Sequence, residues 1–564
     1  MLSDSLPAGL PDQSGDPKHV LRHVFGYDAF RGPQEDIVDH VARGGDALVL
    51  MPTGGGKSLC YQVPALVRPG VGIVVSPLIA LMHDQVQALR QLGVRAAALN
   101  SSLAPGEARQ VERALAMGDL DLLYVAPERL LTDGFMTLLQ GARIALFAID
   151  EAHCVSQWGH DFRPEYRQLT ILQERFPSVP RLALTATADG PTRREIVERL
   201  GLEQGRVFLS SFDRPNIRYR IAPKDNPRQQ LRALLEEHEG EAGIIYCMSR
   251  AKVDSTAEAL AAEGRIALPY HAGLDAETRA RHQDRFLKEE GVVMVATIAF
   301  GMGIDKPDVR FVVHLDLPKS IEAYYQETGR AGRDGLPSEA LLLYGVEDVA
   351  KLIQFVEASD APEARKRVER QKLDALLGLC ETARCRRQVL LSYFEEERAE
   401  PCGNCDTCLE PVRTYDGTQA VQKLLSCVYR TGERFGAGHV IDVLLGQATD
   451  KVTKFGHAAL STFGIGKETP REEWRAIVRQ VVATGLLRVD MEGHGSLTLT
   501  AACRPVLRGE QRIELKVEQR TRAARVSGGA RAPKMALSDP RDEALYQKLR
   551  ALRLEIARGQ GVPP

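Results

Sequence analysis

Short apolar runs alternate with longer helix-like patterns from about residue 18 to residue 345. The runs Ala47–Met51, Val71–Ser76, Leu122–Val125, Ile144–Ile149 and Leu182–Thr185 are rich in Val, Ile and Leu. Strands with one solvated face alternate apolar with polar residues. Continuous apolar runs separated by helices instead predict parallel sheets covered on both faces. The pattern restarts with Gly243–Cys247, Val292–Ala296, Phe311–His314 and Ala340–Tyr344, which predicts two α/β lobes joined near 205–230. We place the first lobe at 18–208 and the second at 209–345, after a low-periodicity tail at 1–17. Charged helices and a cysteine cluster occupy 346–410, and 411–520 mixes helices with a short β signal around Gly493–Gly495. A Gly/Ala/Arg-containing stretch at 521–541 reads as a linker, and 542–564 holds an amphipathic helix, about Asp542–Arg558.

Composition adds limits. At 564 residues, 44% hydrophobic and 26% charged, the chain has the make-up of a multidomain globular protein. It contains no apolar run long enough to span a bilayer and no basic-then-apolar leader, so we expect a cytoplasmic enzyme without a membrane partner. Net charge is -2, yet from Arg508 onward 13 Lys/Arg stand against 7 Asp/Glu. Such a region suits either phosphate contacts or a solvated surface. Ten cysteines are too few for a disulfide scaffold of this length, but Cys402, Cys405 and Cys408 cluster.

The first chemistry lies after Ala47–Met51, in Pro52-Thr53-Gly54-Gly55-Gly56-Lys57-Ser58. Small residues let the backbone curl so that N–H groups and a helix N-terminus face a phosphate. Thr53, Gly54, Gly55 and Gly56 would form the cradle, Lys57 would reach the terminal phosphates, and Ser58 would bind Mg²⁺. The general pattern wants Gly at position 51, where Met51 stands. Ile144–Ile149 delivers Asp150-Glu151-Ala152-His153 at a strand end, where ligands of α/β sheets bind. Asp150 is the candidate Mg²⁺ ligand and Glu151 the candidate group that orients water. In the second lobe, Gln326-Glu327-Thr328-Gly329-Arg330-Ala331-Gly332-Arg333 puts two guanidiniums three apart, on one face if the segment is helical. Arginines supplied by a different lobe would make hydrolysis depend on lobe closure.

Together these motifs resemble RecQ-type DNA helicases of superfamily 2. The resemblance covers about 18–520 and includes T-G-G-G-K-S, S-P-L-I-A-L-M-H-D-Q-V (76–86), D-E-A-H, L-T-A-T-A (184–188) and Q-E-T-G-R-A-G-R-D-G (326–335). I-I-Y-C-M-S-R (244–250), Y-H-A-G-L (270–274) and A-F-G-M-G-I-D-K-P (299–307) extend it. It implies a multidomain α/β fold: two RecA-like lobes, a helical zinc-binding module and a winged helix. The implied activity is 3′→5′ ATP-dependent DNA unwinding in recombination, repair, replication and the SOS response, with ATP, Mg²⁺ and Zn²⁺ as cofactors. Gln326, Arg330 and Arg333 are carried over as catalytic residues, and Tyr27, Arg31 and Gln34 as the adenine site. The family usually has F-R-P-G-Q, whereas Phe30-Arg31-Gly32-Pro33-Gln34 puts Pro at the expected first helical position.

After D-E-A-H, Trp158, His160 and Phe162 interleave with polar residues and Arg163, a pattern suited to single strands because bases stack on rings while Arg meets phosphate. The resemblance implies that this aromatic-rich loop couples DNA to hydrolysis. Four thiolates suit tetrahedral Zn²⁺. Cys380 and Cys385 are both available beside the cluster, and the family spacing selects Cys385 with Cys402, Cys405 and Cys408. Residues 411–515 resemble the family's winged helix, with His494 at the tip of a wing over Arg488–Thr498. The last helix resembles the opening of the helicase-and-RNase-D C-terminal domain, and we expect it to be weakly anchored. Expected partners are single-stranded and forked or overhanging duplex DNA, with single-strand-binding protein as a further candidate. An RNA-remodelling DEAH-type ATPase and a non-catalytic nucleic-acid scaffold are the alternatives; intact Lys57, Asp150, Glu151, Arg330 and Arg333 argue against the second.

Overall fold

The computed structural model describes residues 15–156, 163–301, 304, 306–490, 496–517 and 540–560. Among these residues two all-parallel sheets dominate. In the first, the strands run in spatial order Ala96–Leu99, Leu122–Val125, Val71–Val75, Ile144–Ile149, Arg181–Thr185, Ala47–Leu50 and Arg206–Leu209. Both faces are covered, as the unbroken apolar runs require. Leu48, Leu50, Ile73, Val75, Phe147 and Ile149 enter one core, while Val49, Val74, Leu146, Ala148 and Leu182 enter another. The second sheet has the order Ala267–Tyr270, Val293–Ala296, Ala242–Tyr246, Val309–His314, Ser338–Tyr344 and Ile217–Pro223.

The crossing between lobes is short, from the end of Arg206–Leu209 to the start of Ile217–Pro223. It is wired to everything around it. Phe212 stacks on Phe394 of the following module, with centroids 4.6 Å apart, and meets Tyr325 edge-on at 5.9 Å. Asp213 accepts from Arg387 at 2.9 Å and from Arg398 at 2.7 Å.

Helices Glu363–Glu381 and Arg386–Tyr393 lead into the cysteine cluster. That module docks along the edge strand Ile217–Pro223: the Cys405 backbone bridges Tyr219, and Asp406 accepts from the Ile221 N–H at 3.0 Å. Next come helices Thr418–Arg430, Ala437–Leu444 and Arg471–Ala483 and the antiparallel hairpin Leu487–Asp490/Ser496–Leu499. Trp474 is fully buried and donates through Nε1 to the Gly466 carbonyl at 2.9 Å. This unit meets helix Glu363–Glu381 of the cysteine module through Glu381, which pairs with Lys516 at 2.7 Å and Arg479 at 3.6 Å.

Helix Pro540–Gln560 touches the second lobe's helix Ala276–Lys288, with Leu554 facing a cleft beside Ile266, Arg285 and Lys288. Leu545, Leu549, Leu552 and Ile556 on the same helix are about half exposed. Among the described residues no helix is long and apolar enough to cross a membrane.

Candidate functional site

The phosphate-loop segment, the carboxylate pair and the threonines of L-T-A-T-A all follow neighbouring strands of the first sheet, at the same C-terminal edge. Gly54 and Gly56 take φ of +83° and +79°, the left-handed region that a tight loop needs and that glycine enters without strain. Ser58 precedes helix Leu59–Val67. The Lys57 ammonium folds back on its own loop, donating to the carbonyls of Met51 at 3.0 Å and Pro52 at 3.3 Å. Burial lowers its pKa, against the pull of Glu151 and Asp150 and with a push from Arg333. Lys57, Asp150, Glu151 and Arg333 therefore share one electrostatic neighbourhood.

Burial raises the Asp150 carboxyl to about 7, and Glu151 adds to this while Lys57 opposes it. A divalent cation would reverse that balance and hold Asp150 ionised. The Tyr61 phenol is pushed up by burial and by Tyr124 and Asp150, and Ser58 opposes the shift, so both candidate Mg²⁺ ligands flank one ring. Glu151 adopts φ +48°, a left-handed backbone that a residue with a Cβ rarely takes, and such strain concentrates at functional sites. His153 Nδ1 lies 2.9 Å from Thr185 Oγ1, and Thr185 accepts in turn from the Thr187 N–H. This tie joins D-E-A-H to L-T-A-T-A.

The second lobe supplies the other wall. Helix Ile321–Thr328, capped by Ser320, ends before the two arginines, so they come from a turn and not from one helical face. They diverge. Arg333 lies against the phosphate loop: a Cβ on Gly54 would sit 3.3 Å from its Cγ. Arg330 is buried near Gly301, and it opposes the rise that burial imposes on the Tyr246 phenol, to about 12. Gln326 is half-buried on the helix.

The expected adenine segment forms a turn. Gly32 has φ +51°, Pro33 sits at the N-cap position and Gln34 opens the helix Gln34–Ala42. Pro33 thus precedes the helix by one residue. Tyr27 and Arg31 are exposed. Gln34 does not project freely: its Oε1 accepts from the Arg31 N–H at 2.8 Å, and its Nε2 donates to the Gly56 and Gly55 carbonyls at 3.1 and 3.3 Å. It links the adenine segment to the phosphate loop.

Trp158, His160, Phe162 and His494 lie outside the described residues. Both ends of the aromatic-rich segment are described. At one, Ser156 donates to Glu195 at 2.8 Å. At the other, Arg163 donates to the Pro77 carbonyl at 3.1 Å, and Tyr166, fully buried, donates to the Asp150 carbonyl at 3.0 Å.

Cys385, Cys402, Cys405 and Cys408 converge, their Sγ atoms all within 4.8 Å of one another. The pairs Cys402–Cys408 and Cys385–Cys405 are each 3.9 Å apart. Four sulfurs on a Zn²⁺ at ~2.3 Å in a tetrahedron stand ~3.8 Å apart, so the donor set fits zinc in size and chemistry. Cys380 is buried on its helix and is not part of the cluster.

Sequence reasoning gave no role to Arg214 or Tyr166. Arg214 spans the lobes: Nη1 donates to the Thr53 and Gly329 carbonyls, both at 3.0 Å, and Nη2 to those of Ala331 and Gly332 at 2.8 and 3.1 Å. Its only signal in the sequence is its place in Phe212-Asp213-Arg214-Pro215-Asn216, at the crossing between sheets. Tyr166 carries none beyond its position after the aromatic-rich segment.

Two parallel-sheet lobes, with a phosphate loop and carboxylate pair on one and an arginine turn on the other, define a two-lobe nucleotide-hydrolysing motor. Comparison with known proteins narrows the class. Residues 31–196 match the DEAD/DEAH box helicase family and 226–335 the helicase conserved C-terminal domain. Residues 346–409 match the RecQ zinc-binding family and 411–524 the RQC domain. The chain is 46% identical to the ATP-dependent DNA helicase RecQ of Haemophilus influenzae over 97% of this chain and 88% of that one. It is 39% identical to the Bacillus subtilis protein of the same name, over 97% and 90%. A solved DEAD-box helicase, Mss116 bound to single-stranded RNA and UDP-BeF, shares the fold at TM-score 0.51 and 15% identity, covering 66% of this chain and 87% of that one. The chain belongs to the RecQ family of ATP-dependent DNA helicases. Its cofactors are ATP with Mg²⁺ and Zn²⁺, and the four clustered cysteines are a donor set that fits zinc.

Proposed function

We propose that the chain hydrolyses ATP to move 3′→5′ along single-stranded DNA and unwinds forked or overhanging duplexes during recombination and repair. The observation that carries this reading is the stem of Arg333 packed on Gly54 of the phosphate loop, with its positive charge felt by Lys57, one lobe's arginine against the other's cradle. Lys57 would leave its loop carbonyls for the terminal phosphates, while Ser58 and Asp150 hold Mg²⁺. Glu151 would orient the attacking water, and Arg333 would meet the charge that develops on the transferred phosphoryl group. The turn geometry favours Arg333 over Arg330 for that contact. Tyr27 would stack on adenine, and Gln34, already bonded to the loop, would report its presence.

Each closure would draw the lobes along the strand. Trp158, His160 and Phe162 would stack on bases and Arg163 meet phosphate, with Tyr166 tying that segment to the Asp150 backbone. His494, which the family resemblance puts at the wing tip, would separate the first base pair. Opening one step costs ~0.6–2.2 kcal/mol and one aromatic stack returns ~1–3, so one ring suffices to hold a frayed pair. That the similar bacterial proteins are DNA helicases supports DNA over RNA. We place the protein in the cytoplasm, with single-strand-binding protein as a candidate partner. Strand displacement on duplexes carrying a 3′ or a 5′ overhang tests the polarity: unwinding from the 3′ overhang is expected, and unwinding only from the 5′ overhang contradicts it.

A further inference from the structure

We infer that Arg214 is a positioning residue for hydrolysis, setting the separation between the phosphate loop and the arginine turn. This rests on the functional reading above and adds a residue to it. Arg214 lies in the crossing segment between the sheets, and its four bonds all go to backbone carbonyls.

The choice of acceptors follows from backbone chemistry. Gly329 caps the C-terminus of helix Ile321–Thr328 and Ala331 and Gly332 lie in the turn beyond it, where carbonyls have no helical N–H to accept from. In a phosphate-binding loop the N–H groups face the anion, which leaves carbonyls such as Thr53's for other donors. A planar fork with five donors can hold two such groups at once, and an ammonium cannot reproduce that spread. Arg214 therefore joins the loop that grips the phosphates to the turn that carries Arg330 and Arg333.

Neighbouring bonds keep the fork in place. Asn216 donates to the Gly332 and Leu336 carbonyls at 2.8 and 2.9 Å, fixing the same turn. On the other side Asp213 is held by Arg387 and Arg398, and Asn404 donates to the Pro215 carbonyl at 3.1 Å. Arg387 is two residues from Cys385, and Asn404 lies between Cys402 and Cys405. The zinc module thus braces the segment from which Arg214 reaches into the cleft. Displacing the turn by about 1 Å suffices for a loss of ~10²-fold in rate when the reacting groups must align.

The test measures steady-state ATP hydrolysis at saturating single-stranded DNA on the full chain, its Lys57→Ala variant, Arg214→Ala and Arg214→Lys. Zinc content, melting temperature and affinity for a fluorescent ADP are measured on the same samples. We expect Arg214→Ala to lower kcat ~10²-fold with KM for ATP and ADP affinity within ~3-fold of the parent. Zinc content should be unchanged. Arg214→Lys should fall between, since one ammonium replaces only part of the fork. Parental kcat in either folded variant overturns the inference. So does a loss of kcat that comes only with lost zinc, lost melting transition and lost nucleotide affinity, the pattern of a purely structural residue. If Arg214→Ala does not fold, the split between kcat and KM in Arg214→Lys decides. A parent chain that DNA does not stimulate, or that matches Lys57→Ala, removes the functional reading itself and is seen before any Arg214 variant is compared.

Discussion

Gly332→Ala probes the arginine turn with two separable costs. Gly332 has φ +57°, which costs a residue with a Cβ about 1–2 kcal/mol. The added carbon would also sit 2.3 Å from Asn216 Nδ2, 2.4 Å from Ser338 Oγ and 2.8 Å from the Leu336 carbonyl oxygen. Relieving those contacts means moving the Asn216 amide off its two carbonyl partners, at ~0.5–1.5 kcal/mol each, with ~1–3 kcal/mol of general overpacking as a separate guide. The backbone and hydrogen-bond costs together come to about 2–5 kcal/mol, falling on the turn that carries both arginines. Gly335, three residues on, supplies the control. Its φ is +83°, but a Cβ there meets nothing within 4 Å, so Gly335→Ala should cost only the backbone share, about 1–2 kcal/mol. At ~2–4 °C per kcal/mol for a domain of this size, Gly332→Ala should lower the melting transition by about 10 °C and Gly335→Ala by less than half of that. DNA-stimulated hydrolysis should fall at least ~10-fold in the first and stay within ~2-fold in the second. Equal melting temperatures and equal rates in the two variants would falsify the claim that contact with Asn216 and Ser338 shapes this turn.

Glu151→Gln should retain ATP binding and lose hydrolysis by ~10²–10⁴-fold, with nucleotide affinity and turnover measured side by side; unchanged turnover would remove Glu151 from the chemistry. Tyr166→Phe leaves the part-buried Asp150 carbonyl without this donor, at about 1 kcal/mol, and should lower DNA stimulation more than ATP affinity. An intact stimulation ratio would break the proposed link between the aromatic-rich segment and the carboxylates. Cys405→Ser, or strong chelation, should release zinc and unfold residues around 385–408, since structural zinc contributes ~10–16 kcal/mol in small domains; a zinc-free module that stays folded contradicts this. His238 is raised from 6.5 to about 9: burial lowers it, but Glu241 and Glu339 outweigh burial. Its contribution of about 3 kcal/mol is present below pH 6.5 and is lost as pH rises through about 9. Second-lobe melting should show that loss in the parent and not in His238→Gln, and identical pH profiles would refute it.

The two sheets were legible because burial on both faces leaves unbroken Val/Ile/Leu runs, which local pattern reports faithfully. The phosphate loop and D-E-A-H were legible for a related reason: each is a contiguous segment at a strand end. Contacts between segments distant in sequence were not. Nothing in Arg214 itself announces that its acceptors are carbonyls at Thr53 and Gly329, 161 and 115 residues away. The one-face arrangement of Arg330 and Arg333, conditional on a helix, does not arise because the helix ends at Thr328 and the chain turns at Gly329 and Gly332, which packs the Arg333 stem on the phosphate loop and buries Arg330 in the second lobe. The cysteine spacing named the metal but left Cys380 and Cys385 open without the family, and the clustered sulfurs include only Cys385.

The central claim is a motor driven by ATP and engaged by DNA. The most direct measurement is the ATP hydrolysis rate of the full chain with no nucleic acid, with single-stranded DNA and with single-stranded RNA, beside Lys57→Ala. The account predicts strong stimulation by DNA, little by RNA, and none in the variant. Stimulation by RNA alone, or hydrolysis that survives Lys57→Ala, would contradict it.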